Sequence, residues 1–253
     1  MSSTTTSIIV HGALGRLGAR IVALARRDST IRISAVVDRA LASEHAAERQ
    51  AETHAKHGVE CDSLDRVPRG VEGQVLIDFT SDDGARRAAE FAAERSLALL
   101  VGTTALSTMT MDELRASAKK IPILVAPNTS LGVAVLARAA SEVARALGIE
   151  YDVSIVEAHH NQKKDAPSGT ALRLAQAIRE SGREVKGDQI LSLRGGDVVG
   201  EHTIRFAGGG EYIELTHRAT TRDVFAHGAL RAAKWLAARQ PGWYTMEHVL
   251  GLA

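Results

Sequence analysis

The densest chemistry in this 253-residue sequence lies in one run, Glu157-Ala158-His159-His160-Asn161-Gln162-Lys163-Lys164-Asp165-Ala166-Pro167-Ser168-Gly169-Thr170. An apolar, strand-like stretch delivers two histidines and a lysine into a loop. The loop then runs into a helix start marked by Pro167 and the cap candidate Ser168. Imidazole and ammonium groups can move protons and pair with anions, while a helix start presents unpaired N–H groups and the positive end of a dipole. A small anionic substrate held between them is the chemistry this spacing predicts. Neighbouring residues on a strand face opposite ways, so His159 and His160 can divide into one catalytic and one structural residue. No H-E-x-x-H, C-x-x-C or carboxylate cluster accompanies them, and no metal site is expected.

A second constellation stands near the start. Gly12-Ala13-Leu14-Gly15-Arg16-Leu17-Gly18 is G-x-x-G-x-x-G between a strand-like and a helix-like segment. Glycine lets a pyrophosphate approach the backbone, and the helix start supplies the N–H donors. Asp38 follows about 20 residues later at the end of the next strand, where the dinucleotide fingerprint places an acid for a ribose 2′-hydroxyl. Asp38 favours NADH, because a carboxylate beside a 2′-phosphate repels it. Arg39 can pair that phosphate instead, so NADH, NADPH or both remain open.

The elements that must carry these residues read as strands over 7–11, 31–37, 75–79, 97–101 and 121–126, alternating with helices over 13–27, 84–95 and 111–119. That alternation predicts an α/β fold, a Rossmann-type doubly wound parallel sheet with helices on both faces. The pattern changes after Pro127. Helices over 132–147 and 169–180 mix with strands over 152–158, 189–194, 200–207 and 211–218. Gly208-Gly209-Gly210 marks a hairpin between the last two. A mixed α+β domain is therefore expected, followed by a helix over 224–238 and a short amphipathic tail.

Composition narrows the function. The net charge of +1 and 4% aromatic content argue against a nucleic-acid binder, which needs many phosphate contacts or stacking rings. No apolar run approaches the ~20 residues that span a bilayer, and Met1 to Thr6 shows no basic signal-peptide start. The single cysteine, Cys61, cannot form an internal disulfide and fits a reducing compartment. These features predict a cytoplasmic protein with no nucleic-acid or membrane partner.

The run from Glu157 to Ala171 resembles the signature of the 4-hydroxy-tetrahydrodipicolinate reductase family, E-x-H-H-x-x-K-x-D-x-P-S-G-T-A. Further matches keep the family's order: the loop from Gly12 to Gly18, Asp78-Phe79-Thr80, Gly102-Thr103-Thr104, Ala126-Pro127-Asn128 with Ser130 and Gly132, and Arg194-Gly195-Gly196 through Gly200-Glu201-His202-Thr203. The resemblance implies a dinucleotide-binding domain over 1–127 and 219–253. It also implies a substrate-binding domain over 128–218 that forms a homotetramer. It implies reduction of a small dicarboxylate by NADH or NADPH in lysine and diaminopimelate synthesis. His159 and Lys163 would be catalytic. His160, Lys163, Ser168, Gly169 and Thr170 would hold the substrate carboxylates. Gly12, Gly15, Arg16, Leu17, Gly18, Asp38, Arg39, Phe79, Thr80, Gly102, Thr103, Thr104, Ala126, Pro127 and Asn128 would bind the cofactor.

Some positions depart from the family pattern. Ala105 stands where a second glycine is usual, Ser81-Asp82-Asp83 replaces a proline-containing turn, and His11 replaces a small apolar residue. The two acids are expected to face solvent, and His11 to be packed or hydrogen-bonded. Arg194, Glu201 and His202 either support the substrate loop or are strand-edge residues. His217 and Arg218 read as structural pairs, and Trp235 as core. Two rival functions remain: a dehydrogenase for another small substrate, and a catalytically silent dinucleotide sensor.

Overall fold

A computed structural model describes residues 5–42 and 59–252. The chain divides into two compact units. One runs to Thr129 and takes up Phe225–Gly251, and the other is Ser130–Val224. Residues 219–224, grouped with the first unit on sequence, pack with the second.

The first unit is built on β1 (Thr6–His11), α1 (Arg16–Ala25), β2 (Ile31–Val37), β3 (Val59–Cys61), β4 (Val75–Asp78), α2 (Asp82–Glu94), β5 (Ala98–Val101), α3 (Thr108–Ser117) and β6 (Pro122–Val125). All its strand pairs are parallel, in the order β11-β6-β5-β4-β1-β2-β3, where β11 is Gly242–Tyr244. Without its edge strand this is the Rossmann order, with the order of strand addition reversing between β1 and β4. Continuous apolar runs such as Ile8-Ile9-Val10 and Val75-Leu76-Ile77 are wholly buried, as expected where helices cover both faces of a parallel sheet.

Two strands escape the sequence pattern. β3 and β11 are three-residue edge strands, too short to show a period, and they lie within the polar 40–74 stretch and the C-terminal tail. Helix starts also shift. α1 begins at Arg16, since Gly12 to Gly15 form a turn closed by the Gly15 N–H on the Gly12 carbonyl at 3.1 Å. α2 begins at Asp82, because the Ser81 hydroxyl caps it by accepting the Gly84 N–H.

The second unit holds α4 (Leu131–Leu147), β7 (Asp152–His159), α5 (Gly169–Glu180), β8 (Ile190–Arg194), β9 (Gly200–Ala207) and β10 (Tyr212–Ala219). The sheet order is β10-β9-β7-β8; only β7 and β8 run parallel. The Gly208 to Gly210 turn joins β9 to β10 as an antiparallel hairpin. β7 alternates between buried and more open residues. Val153 and Ile155 pack with Leu136, Ala137, Leu174 and Ile178 of α4 and α5, whereas Leu191 and Leu193 of β8, in register with Val156 and Ala158 on the opposite face, are exposed. Two helices, α6 (Asp223–Leu236) and α7 (Met246–Leu250), complete the described chain. No helix of the described residues is long and apolar enough to cross a membrane.

Candidate active site

In the first unit the strand ends are held in step beyond the sheet. The Phe79 N–H donates to the His11 carbonyl, the Gly102 N–H to Asp78 and the Ala126 N–H to Val101. Phe79, Gly102 and Ala126 therefore follow the carboxyl ends of β4, β5 and β6 in one row. A cleft of about 960 Å³ opens on this edge, lined by His11, Gly12, Gly15, Asp38, Arg39, Phe79, Thr80 and Asp83 among others. The loop leading to α1 packs too tightly for side chains at two of its glycines. Gly12 has φ +82°, and a Cβ on Gly18 would lie 2.0 Å from the Gly12 carbonyl oxygen. Asp38 braces the loop from the next strand: Oδ2 accepts the Leu14 N–H at 2.9 Å and Oδ1 accepts the Ala40 N–H at 3.0 Å.

This arrangement fits a dinucleotide. The glycine turn brings backbone N–H groups to the α1 start, which carries no acid in its first turn to repel a phosphate. Arg16 and Arg39 are exposed, and Leu17 is half-buried. Beneath the row, Asp78 is wholly buried and accepts the Thr80 and Thr103 hydroxyls at 2.6 Å each. Thr103 Oγ1 in turn accepts the Thr80 N–H at 2.9 Å. Thr103 thus turns its hydroxyl inward, while Thr104 and Pro127 are exposed and Asn128 half-buried. His11 Nδ1 lies 2.8 Å from Asp78 Oδ1, off the line a hydrogen bond needs, so it is a packed neighbour of the network. Of the two acids after Ser81, Asp83 is exposed as expected, paired with Arg87 at 3.2 Å, and Asp82 is half-buried. Asp83 lines the cleft, and Asp82 accepts the Ser107 N–H at 2.7 Å, which holds its carboxyl below the usual range.

The second unit gathers the histidine–lysine segment around one carboxylate. Glu157 and His159 sit two apart on β7 and so share its covered face; both are buried. His159 Nδ1 is 2.5 Å from Glu157 Oε2. Arg194, directly across from His159 in the β7–β8 register, donates to both Glu157 oxygens at 3.0 and 2.9 Å. The Ser168 N–H donates to Oε1 at 3.2 Å. Burial pushes the Glu157 carboxyl up, but Arg194, Ser192 and His159 outweigh it and hold the pKa at about 2. For His159 the balance reverses: burial lowers the pKa, and Glu157 only partly restores it.

Ser168 caps α5 by accepting the Ala171 N–H at 3.2 Å, and its hydroxyl meets His202 Nε2 at 3.2 Å. His202 is buried, packs edge-on to His159 at 5.2 Å between centroids, and is pushed by burial down to about 4. Gly169 is exposed at the helix start and Thr170 half-buried. Lys163 pairs with Asp165 at 2.8 Å, which lowers the Asp165 pKa. His160 lies beyond the strand, its Nε2 3.3 Å from Arg222. The choice left open for the Arg194 group resolves residue by residue. Arg194 and His202 turn inward to the site, whereas Glu201 pairs with Arg218 at the surface. His217 approaches the Ser130 cap of α4 at 3.4 Å. Among the described residues, no three His, Cys, Asp or Glu side chains converge as a metal site would require. Glu157, Arg222 and Asp78 carry weight the sequence reading did not give them. The i, i+2 spacing of Glu157 and His159 was the available signal.

A Rossmann sheet with a glycine-loop cleft, joined to a unit carrying a buried acid–imidazole pair at a helix start, defines an NAD(P)H-dependent oxidoreductase. The family models "Dihydrodipicolinate reductase, N-terminus" and "Dihydrodipicolinate reductase, C-terminus" match residues 6–129 and 132–250. The chain belongs to this family. It is 42% identical over 264 residues to the 4-hydroxy-tetrahydrodipicolinate reductase of Myxococcus xanthus, covering 96% of this chain and 97% of that one. It is 41% identical over 269 residues to that of Anaeromyxobacter dehalogenans, covering 98% of each. Among solved structures, a dipicolinate-bound dihydrodipicolinate reductase from Paenisporosarcina sp. TG-14 shares the fold with a TM-score of 0.78, at 22% identity over 95% of this chain and 97% of that one. An amine dehydrogenase from Mycobacterium smegmatis has a TM-score of 0.62 at 13% identity, over 96% and 95% of the two chains.

Proposed function

We propose that this chain reduces 4-hydroxy-tetrahydrodipicolinate with NADH or NADPH, giving tetrahydrodipicolinate and water in cytoplasmic diaminopimelate and lysine synthesis. The observation that carries this reading is the buried Glu157–His159 pair beside the capped start of α5. It joins a proton-bearing imidazole to N–H groups suited to a carboxylate, within a chain that matches the reductase family over nearly its full length.

When bound, the nucleotide supplies a hydride from C4 of its nicotinamide. Gly12, Gly15, Arg16, Leu17 and Gly18 take the pyrophosphate, and Asp38 and Arg39 take the adenosine ribose. Phe79, Thr80, Gly102, Thr103, Thr104, Ala126, Pro127 and Asn128 frame the nicotinamide. His160, Lys163, Ser168, Gly169 and Thr170 hold the two substrate carboxylates, since a dianion needs cations and helix-end donors. His159 gives a proton to the substrate ring as the hydride arrives, and Lys163 offsets charge there. His159 is neutral-leaning in the free chain, and a bound dianion raises its pKa, which readies the proton when substrate is present.

The uncovered face of the β7–β10 sheet supports a homotetramer. Leu191, Leu193 and Tyr212 are exposed there, beside Val156 and Ala158, a face that a second copy would cover. Light scattering should return a four-chain mass, and Leu193→Glu should lower it; a monomeric wild type would remove the tetramer.

The reaction is tested by following NADH or NADPH oxidation while the preceding synthase makes substrate from pyruvate and aspartate semialdehyde. Synthase-dependent oxidation is the expected result. Silence with both nucleotides, despite measured nucleotide binding, would overturn the reading in favour of another substrate or a sensor.

A further inference from the structure

A buried ionised carboxylate costs several kcal/mol unless it is paired, and packing alone would be served by an apolar residue at position 157. Glu157 is wholly buried, yet it receives His159 Nδ1, both Arg194 terminal nitrogens and the Ser168 N–H. Arg194 is fixed in turn, donating to the Leu193 carbonyl at 2.6 Å and the Asp165 carbonyl at 2.7 Å. The neighbouring backbone extends the pairing, with the Gly195 N–H on the His159 carbonyl at 2.9 Å. One carboxylate thus ties together the imidazole, the loop that carries Lys163 and the first residue before α5.

We propose that Glu157, clamped by Arg194, is a positioning residue that keeps a proton on His159 Nδ1 and leaves Nε2 as the atom that delivers the proton to substrate. The proposal rests on the proton-donor role given to His159 above. A carboxylate at hydrogen-bond distance accepts only, so the Nδ1 facing it must carry hydrogen. Nε2 lies beside Gly200, where an added Cβ would be 3.1 Å from it; any side chain there would crowd the working nitrogen. In the reactive form both ring nitrogens carry hydrogen. As the hydride adds to the conjugated imine, the displaced electron pair on substrate nitrogen or carbon takes the Nε2 proton. The Nε2–H bonding pair stays on the ring, and a neutral imidazole protonated at Nδ1 remains. Glu157 stays ionised throughout. The charged and titratable groups facing this ring are Glu157 on β7, Arg194 on β8, His202 on β9 and Lys163 on the loop. Glu157 is the group that favours the imidazolium, against the two cations.

The test reads the tautomer directly, by nitrogen-15 NMR of imidazole-labelled chain near neutral pH without substrate or nucleotide, with His159→Gln assigning the resonances. The Nδ1–H tautomer is expected for His159 in the wild type. In Glu157→Gln the new amide can donate to Nδ1, so the Nε2–H tautomer should appear. kcat should fall about 100-fold or more, with KM within about threefold. The alkaline limb of the kcat profile should move to lower pH, because the favouring negative charge is gone. A wild-type Nε2–H tautomer overturns the proposal, as does Glu157→Gln with unchanged kcat and unchanged limb. If Glu157→Gln fails to fold, the wild-type tautomer decides, and Arg194→Gln supplies the kinetic arm, with a lower kcat expected and an unchanged one counting against the clamp. Absence of synthase-dependent turnover in the wild type would instead count against the reaction, whatever the tautomer.

Discussion

His159 must give up a proton from a place where burial disfavours carrying one. That conflict has a kinetic signature. kcat/KM reports ionisations of the free enzyme and kcat those of the substrate complex. Burial lowers the free His159 pKa, so kcat/KM should fall as pH rises through a value below that of ordinary histidine. Bound carboxylates raise the pKa, so the limb in kcat should lie at higher pH. Coincident limbs in a pH series would remove His159 as the donor. His159→Gln should reduce kcat by about 100-fold or more while KM moves little, since proton transfer acts in the transition state. At the other unit, the Leu14 and Ala40 N–H groups each donate to one Asp38 oxygen, which fixes the carboxylate and leaves a lone pair on each oxygen for the ribose 2′-hydroxyl that NADPH lacks. Asp38→Ala should therefore weaken NADH use more than NADPH use; an equal loss in the two rates would sink the ribose assignment.

At the level of elements, the loop after β5 shows what a family departure costs. Ala105 has φ +56°, a left-handed conformation that disfavours a Cβ by roughly 1 kcal/mol, and it stands where the family resemblance implies a glycine. Ala105→Gly should therefore raise the melting temperature slightly, by relief of about 0.5–1 kcal/mol less the extra freedom of the unfolded chain. A fall in melting temperature would show that the strain is absent. The sequence made most elements legible because their apolar runs are long: Ile8 to Val10, Leu99 to Val101, and the α4 stripe of Val133, Leu136, Ala137 and Ala140. It hid β3 and β11, where three residues at a sheet edge carry no period. The site divides the same way. Glycine turns and a helix cap leave local marks, so Gly12 to Gly18 and Ser168 stood out. Arg194 meets Glu157 only through strand register, and spacing in one sequence cannot supply that pairing.

Across the whole molecule, the two units should respond differently to acid. The second unit buries His202, with its pKa lowered to about 4, and His159, and half-buries His217, the last two also lowered by desolvation. A group depressed on folding stabilises the fold above its unfolded pKa and loses that contribution as pH falls towards the folded value. For His202 the window runs from 6.5 down to about 4 and spans on the order of 3 kcal/mol. Glu157, lowered from 4.5 to about 2, adds a second loss below that window. Both tryptophans, Trp235 and Trp243, lie in the first unit, so their emission reports that unit alone. On acidification from about pH 7 to about pH 4, hydrogen exchange in β7 and β9 should accelerate before tryptophan emission shifts. Replacing His202 with Gln, which removes its titration, should hold the two events closer together. If both units open together in the wild type, or if exchange in β7 and β9 is indifferent to pH across this window, buried histidine does not control the acid response.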